Sequence, residues 1–283
     1  MATAGAKPEY KQLNWKESTL HYAVLGTGPD VWLLFHGFAQ SKEHLLSLAA
    51  QMAGRGVRVY VFDIYFHGES IWGRGTRLLQ NEDWKEILMA FLEQERIGRF
   101  SVAGYSMGGK FAISSVMAWP GRCKACWLIA ADGVSRNFWY GVATQFKPLR
   151  KLFRYFVVRP RAMYKLFDLV RKMRIVDPGV IEFSFRQVKT RKRRVRLYYA
   201  WVVFRQLFSP MMAFAETLRK HEIKATVILG KKDKMITLRS MEPLLSRDPD
   251  IPLLILDANH EEVLHVLSGQ IAQGDWDDFL IVE

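Results

Sequence analysis

Short apolar segments alternate with helix-length segments along most of this chain. Before residue 134 the apolar segments are 21–25, 31–35, 57–62, 100–104 and 125–131, and helical patterns occupy 42–52, 82–96 and 107–118. After residue 210 the alternation resumes, with apolar segments at 225–229 and 252–256 and a closing helix near 269–281. Strands that alternate with helices of this length form βαβ units around a parallel sheet. The sequence therefore predicts an α/β fold, with a mostly parallel central sheet flanked by helices.

The middle of the chain differs from its flanks in charge. Residues 134–210 contain 19 lysines and arginines but three acidic residues, a formal net charge of +16, whereas the rest of the chain carries a net charge of −3. Apolar residues recur there at spacings of three and four, which predicts amphipathic helices with breaks near Pro160, Pro178 and Pro210. This change in composition divides the chain into two domains. They are a core of residues 1–133 and 211–283, and a basic, aromatic-rich helical segment at 134–210.

Composition and spacing also bear on location and on metal chemistry. With 283 residues, 49% of them hydrophobic, the chain can bury a sizeable core, which excludes disordered and collagen-like classes. Residues 1–11 lack a leader pattern and no apolar run spans a bilayer, so we expect a cytoplasmic protein. Cys123 and Cys126 run into a predicted strand without a second ligand pair, so we expect free thiols. No cluster has metal-ligand spacing, and we expect neither metal nor cofactor.

The pentapeptide GYSMG at 104–108 forms a G-x-S-x-G motif between a predicted strand and a predicted helix. A nucleophilic serine held on a strained strand-to-helix turn needs close backbone approach on both sides, which Gly104 and Gly108 allow. The helix N-terminus behind the turn favours developing negative charge. A serine hydroxyl is a weak nucleophile until a base takes its proton, so Ser106 requires a histidine and an orienting carboxylate downstream.

Two later strands supply residues of these types. The apolar segment at 225–229 leads to Asp233, and the segment at 252–256 leads to His260. Loops at the carboxyl ends of parallel strands emerge at one edge of a sheet, so Ser106, Asp233 and His260 can meet there. The order along the chain, serine, acid and then histidine, is the one expected after such a turn.

An oxyanion hole is predicted from an earlier strand. The apolar segment at 31–35 is followed by HGF at 36–38, and this loop can direct the backbone N–H of Phe38 toward the same edge of the sheet. Paired with the N–H of Met107, the residue after the serine, it would bind a developing oxyanion.

These features together resemble the α/β-hydrolase fold family, in the esterase and lipase-like branch with an HG oxyanion motif and a helical cap after the sixth strand. The matching segments are HGF at 36–38, DIYFHGES at 63–70, GYSMGG at 104–109, LGKKD at 229–233 and NH at 259–260. The resemblance implies a serine hydrolase, with the basic segment as its cap. Two positions depart from the family, where members usually carry glycine: Phe66 and Asn259.

Two site assignments have alternatives. Asp132 follows the predicted strand at 125–131 and can reach the same edge as Asp233, although the G-x-x-D context favours Asp233. His265 lies in a segment that reads as helical, where a histidine more often packs or is solvated, which favours His260. Two further histidines precede glycine in loops near the site, and we expect them to brace those loops through hydrogen bonds: His36 and His67.

The predicted function is hydrolysis of small-molecule esters of apolar acyl groups through an acyl-enzyme, without a cofactor. The same triad in similar folds also cleaves C–C, thioester or amide bonds, and a non-catalytic ligand-binding protein stays open as an alternative. RKRR at 191–194 is accompanied by no nucleic-acid-binding fold, so no nucleic-acid partner is expected. The basic, aromatic segment is either a solvated surface or a site of peripheral contact with an anionic membrane.

Overall fold

The computed structural model describes residues 7–135, 141, 144–174 and 176–274, without the side chain of Phe183. The chain divides into two compact units. The core unit comprises Met1–Arg74, Asn81–Ser135 and Leu207–Glu283, and the helical unit comprises Gly75–Gln80 and Arg136–Gln206. The sequence did not predict that Gly75–Gln80 belongs with the helical unit, where the Leu79 N–H donates a hydrogen bond to the Val203 carbonyl oxygen.

The core unit is built on an eight-stranded sheet. Its strands are β1 Glu9–Trp15, β2 Ser18–Leu25, β3 Val31–Phe35, β4 Arg58–Phe62, β5 Phe100–Tyr105, β6 Cys123–Ile129, β7 Lys224–Gly230 and β8 Leu253–Leu256. They lie in the order β1-β2-β4-β3-β5-β6-β7-β8, and pairing is antiparallel between β1, β2 and β4 and parallel between all later neighbours. The mostly parallel sheet predicted from the sequence is confirmed.

The α-helices with defined bounds are α1 Leu46–Gly54, α2 Asn81–Gln94, α3 Gly108–Ala118, α4 Lys147–Val158, α5 Pro160–Met173, α6 Pro178–Arg186, α7 Arg191–Val203, α8 Met211–Lys220, α9 Leu238–Leu245 and α10 Val263–Gln273. A short 3-10 helix, Lys42–Leu45, precedes α1. The closing helix starts six residues before the predicted 269, and residues 275–281 of that prediction lie outside the described residues. Among the described residues, no helix is both long and apolar enough to cross a membrane.

Helices cover both faces of the sheet, as side-chain alternation along β3 demonstrates. Trp32 and Leu34 pack in a buried cluster that also contains side chains of α1 and α10. Phe35 points to the other face, where its ring contacts Trp84 of α2 and Phe111 of α3. All five residues of β3 are buried, because successive side chains of a central strand enter two different apolar layers.

The helical unit holds α4 to α7. Its breaks fall where the sequence predicted them, since Pro160 and Pro178 begin α5 and α6 and Pro210 immediately precedes α8 of the core unit. Val157, Met163 and Val188 form its buried cluster. One of its many cations is also buried and has a structural role.

That cation, Arg194 of α7, joins separate segments of the helical unit. Its guanidinium donates to the carbonyl oxygens of Val157 at 2.9 Å, Val188 at 3.0 Å and Lys189 at 3.3 Å. Val157 lies in the last turn of α4, where helix carbonyls lack intrahelical partners and the helix dipole favours a cation. Burial of this charge is therefore compensated by carbonyl groups that need donors.

Candidate active site

The turn between β5 and α3 holds Ser106 in a left-handed backbone conformation, with φ of +50°. The Ser106 N–H donates to the carbonyl oxygen of Ile129 at 3.0 Å, which ties the turn to the end of β6. The Ser106 carbonyl oxygen accepts from the N–H groups of Gly109 at 2.9 Å and Asp132 at 2.8 Å. Three hydrogen bonds thus hold a conformation that costs a serine about 1 kcal/mol or more.

Glycines at 104 and 108 allow the close backbone contacts around this turn. A Cβ added at Gly104 would lie 2.4 Å from the Gly108 carbonyl oxygen, and one added at Gly108 would lie 2.1 Å from the carbonyl oxygen of Phe35. Neither neighbour is a flexible side chain, so any larger residue would displace α3 from the sheet. The close approach predicted from the G-x-S-x-G spacing is confirmed.

The structure brings Ser106, His260 and Asp233 together, although Ser106 and Asp233 are 127 positions apart in the sequence. The His260 Nε2 lies 3.1 Å from the Ser106 Oγ, and the His260 Nδ1 lies 2.6 Å from the Asp233 Oδ2. A carboxylate only accepts hydrogen bonds, so Nδ1 carries the proton and Nε2 of the neutral ring faces the hydroxyl as an acceptor. This tautomer is the one in which a histidine can take a proton from a serine.

The Asp233 carboxylate is itself held in place by the loop after β7. Its Oδ1 accepts from the backbone N–H groups of Met235 at 2.7 Å and Ile236 at 2.9 Å, which leaves Oδ2 for His260. Both Asp233 and His260 are buried. These two backbone hydrogen bonds therefore fix the orientation of the Asp233 carboxylate independently of its contact with His260.

The two alternative residues occupy other positions. Asp132 lies after β6, where its Oδ2 pairs with the Lys110 Nζ at 2.9 Å and its Oδ1 accepts from the Gly133 N–H. His265 is exposed on α10. The carboxylate beside the His260 ring is that of Asp233.

The HGF loop follows β3 and is closed by Gln40. The Gln40 side chain accepts from the Gly37 N–H at 3.0 Å, and the Gln40 N–H donates back to the Gly37 carbonyl oxygen at 3.3 Å. No described residue accepts a hydrogen bond from the backbone N–H of Phe38 or of Met107. These are the two amides that the sequence indicated for an oxyanion hole.

Two histidines brace the loops beside this site, as expected from the sequence. The His36 Nε2 accepts from the Ile64 N–H at 3.0 Å, so its proton resides on Nδ1 and is donated to the Gly37 carbonyl oxygen at 2.7 Å. His67 contacts a residue two positions earlier in the chain, with its Nδ1 3.0 Å from the Tyr65 carbonyl oxygen. The rings of His36 and His67 meet edge to face at 5.3 Å.

The two departures from the family pattern differ, since the structure gives a role to Asn259 but none to the phenylalanine at position 66. Phe66 adopts a left-handed conformation with φ of +69°, which accounts for glycine being usual at this position. Asn259 instead caps the turn that leads into α10, where its Oδ1 accepts from the N–H groups of Glu261 at 3.0 Å and Glu262 at 3.2 Å. The Asn259 N–H donates to the Glu262 carboxylate in return. The segment that carries His260 is therefore tied down by a side chain that glycine lacks.

Tyr105 is a residue of the site that sequence reasoning missed. Its hydroxyl donates to the carbonyl oxygen of His260 at 2.6 Å, and the two rings lie 5.3 Å apart. Burial, reinforced by the nearby Asp233 charge, raises the pKa of Tyr105, so the phenol keeps the proton that it donates. The residue occupies a variable position of G-x-S-x-G, and the motif carries no signal for this contact.

Among the described residues we looked for side chains that could form a metal site or a reactive thiol pair. No group of three or more His, Cys, Asp or Glu side chains among them is placed to hold a metal ion. Cys123 and Cys126 are free and buried, and burial raises the pKa of Cys123 to about 12. The site is therefore assembled from a hydroxyl, an imidazole, a carboxylate and backbone amides.

Comparison with known proteins agrees with this architecture. Solved structures with the same fold include a thioesterase domain from the curacin biosynthetic pathway, with a TM-score of 0.65 and 14% identity over 94% of this chain and 99% of that one. A hydrolase from Pseudomonas aeruginosa has a TM-score of 0.64 and 18% identity over 99% and 100%. Naproxen esterase from Bacillus subtilis has a TM-score of 0.64 and 14% identity over 97% and 92%.

Comparison by sequence gives different results for individual curated proteins and for family models. No curated protein matches the chain. A model of the alpha/beta hydrolase family matches residues 32–272, a span that contains every site residue described above. With its sheet, its serine turn and this match in agreement, the chain belongs to the alpha/beta hydrolase family.

Proposed function

We propose that this protein is a serine hydrolase that cleaves carboxylic esters of apolar acyl groups through an acyl-enzyme. The observation that carries the proposal is the continuous chain of contacts from the Ser106 Oγ through His260 to the Asp233 carboxylate, at 3.1 and 2.6 Å. The hydrogen-bond distances along this chain of contacts lie within the range in which a base can take the proton of a nucleophile.

In the proposed reaction, the His260 Nε2 takes the proton of Ser106 as the Oγ attacks the ester carbonyl carbon. Asp233 stabilises the imidazolium that forms, and the N–H groups of Phe38 and Met107 donate to the oxyanion. The imidazolium then gives its proton to the alcohol oxygen as the ester bond breaks. Water repeats the sequence on the acyl-enzyme and releases the acid.

Two observations support an apolar acyl group and an ester. Phe38 and Met107, whose backbone N–H groups are the two candidate oxyanion donors, both have apolar side chains. Esterases are among the proteins that share the fold, as naproxen esterase does. The triad chemistry itself is common to ester and thioester cleavage, so the substrate panel must contain both.

A fluorophosphonate probe tests the nucleophile, because it forms a covalent bond to an activated serine. We expect the unmodified protein to be labelled and Ser106→Ala to give no labelling. Ser246→Ala is the matched control, since Ser246 is exposed near the end of α9 and should leave labelling unchanged. Absence of labelling in the unmodified protein would favour the non-catalytic, ligand-binding alternative.

A panel of acyl esters and thioesters of matched chain length then tests the substrate class. We expect kcat/KM to be highest for esters with medium apolar acyl chains. Substitution Asp233→Asn should lower kcat by about 10⁴-fold, because the wrong histidine tautomer then faces Ser106. Asp132→Asn is its control and should retain activity; the reverse result would assign the acid to Asp132.

A further inference from the structure

The outer face of α5 presents a row of large apolar side chains to solvent. Leu166, Leu169 and Met173 succeed one another at spacings of three and four residues, so they share one face of the helix. Between 37% and 55% of each residue is exposed in the whole chain. The inner face packs into the buried cluster through Met163 and Phe167. Exposed apolar side chains grouped on one face are typical of surfaces that bind another protein, a membrane or a ligand.

Helix α4 has the same organisation. Leu152, Tyr155 and Val158 are exposed, whereas Val157 is buried and Phe153 packs against the same cluster as α5. Of 14 exposed large hydrophobic residues among those described, eight belong to the helical unit, although it is much the shorter unit. Exposed apolar surface is therefore concentrated on these helices.

Cations border the apolar rows. Residues 147–174 contain ten lysines and arginines and a single acid, Asp168. Lys165 and Lys172 directly precede Leu166 and Met173, and both are exposed. Within the described part of the chain neither lysine forms an ion pair, while Asp168 lies 3.9 Å from Arg171. The surface thus combines apolar side chains with uncompensated positive charge.

Three partners would offer negative charge or apolar surface, and one of them offers both. A second copy of the segment at 134–210 carries the same net charge of +16 and is repelled. Nucleic acid supplies phosphates, but no apolar layer that would cover Leu169 or Met173. An anionic lipid bilayer supplies charged headgroups and, about 5–10 Å deeper, acyl chains.

We infer that the outer faces of α4 and α5 bind an anionic lipid bilayer. The apolar rows enter the boundary between headgroups and acyl chains, and Lys165 and Lys172 contact the negatively charged headgroups. Each lysine near an anionic leaflet strengthens partitioning about fivefold, so the pair accounts for about 25-fold. Binding on this surface depends on no property of Ser106, and so it stands or falls separately from the proposed hydrolase activity.

Flotation with lipid vesicles tests this inference on the full chain. All proteins carry Ser106→Ala, so that no lipid is hydrolysed during the measurement. Vesicles of phosphatidylcholine are compared with vesicles that also contain phosphatidylglycerol, at about 0.1 M and about 1 M salt, where the screening length falls from about 10 to about 3 Å. Two variants remove the two components of the surface: K165Q/K172Q and L166S/L169S.

Matched controls make the same changes on the core unit. K220Q/K224Q removes two exposed lysines, and M212S/L238S removes two exposed apolar residues. Circular dichroism of each variant establishes that its helix content is intact.

We expect binding to phosphatidylglycerol vesicles at low salt, its loss at high salt, and weak binding to phosphatidylcholine alone. K165Q/K172Q should weaken binding by about 25-fold and L166S/L169S by tenfold or more, while the controls match their parent. Equal binding to both vesicle types, or equal effects of the controls, would overturn the inference. So would binding of RNA or of an acidic protein at this surface without any binding to vesicles.

Discussion

Replacement of Lys42 by methionine tests whether a buried ion pair holds the loops beside the candidate site. The Lys42 Nζ lies 2.8 Å from the Asp63 Oδ2 and 2.6 Å from the Glu69 Oε2, and the Asp63 side chain is fully buried. Lys42 follows the HGF loop and Asp63 follows β4, so the pair joins the two segments. Burial alone would lower the Lys42 pKa, but the hydrogen bonds and charges of both carboxylates outweigh it and raise that pKa.

The magnitude follows from what Asp63 retains. Removal of one partner of a buried ion pair costs about 3–5 kcal/mol, because the other charge stays buried without compensation. Asp63 keeps two backbone donors, the N–H groups of Lys42 at 2.7 Å and Glu69 at 2.9 Å, which places the expected loss near the lower bound, about 3 kcal/mol. For a domain of this size the melting temperature should fall by roughly 6–12 °C.

Urea denaturation followed by far-UV circular dichroism measures this loss. Lys16→Met is the control, because Lys16 forms an ion pair of similar length, 2.9 Å, with Glu86 at the exposed surface, where about 0–1 kcal/mol is expected. The double substitution K42M/D63N should recover part of the stability, since no charge then remains buried. Equal losses for Lys42→Met and Lys16→Met, or no recovery in the double variant, would refute the reasoning.

Three further predictions concern polar groups and thiols of the core unit. Tyr105→Phe removes the hydrogen bond to the His260 carbonyl oxygen and should lower kcat several-fold, with little change in KM, in steady-state assays on the best ester. Glu95→Gln should reduce the free energy of unfolding at pH 7; burial raises the Glu95 pKa, but hydrogen bonds from Tyr22 and Tyr60 and the Lys11 charge lower it overall. Stability from this carboxylate is present above the usual glutamate range and lost as pH falls through the lowered pKa, so the denaturation curves of the two proteins should converge once the pH lies below that lowered pKa. The two buried thiols should react with Ellman's reagent only after unfolding, and reaction in the folded protein would contradict their burial.

The sequence predicted the sheet well where strands are buried on both faces. β3 is apolar at all five positions and was located to the residue, because a central parallel strand leaves a continuous apolar run. β1 was missed because EYKQLNW buries only Leu13 and Trp15, which is too short an alternation to separate from a loop. Helices α8 and α9 were missed as well; α8 lies between α7 and β7, and α9 lies between β7 and β8.

The candidate site was predictable to the extent that topology alone assembles it. Ser106, Asp233 and His260 follow the carboxyl ends of three parallel strands, and such ends meet whatever the details of packing. Asp132 satisfies the same rule, and beyond the G-x-x-D context that favours Asp233, the two acids are distinguished by the pairing of Asp132 with Lys110 and the contact between Asp233 and His260. The Tyr105 contact depends on where a loop 155 residues away passes the ring, which no local pattern encodes.

The left-handed backbone conformation at Ser106 means that stability favours glycine at this position, whereas the proposed reaction requires the serine hydroxyl. Glycine would adopt this conformation without strain, so Ser106→Gly should abolish labelling by the fluorophosphonate yet raise the free energy of unfolding by about 1 kcal/mol. Replacement of this serine by glycine, though not by alanine, is thus a stabilising change. Selection for thermal robustness alone, in a laboratory library or in nature, would tend to erase the very side chain on which reactivity depends.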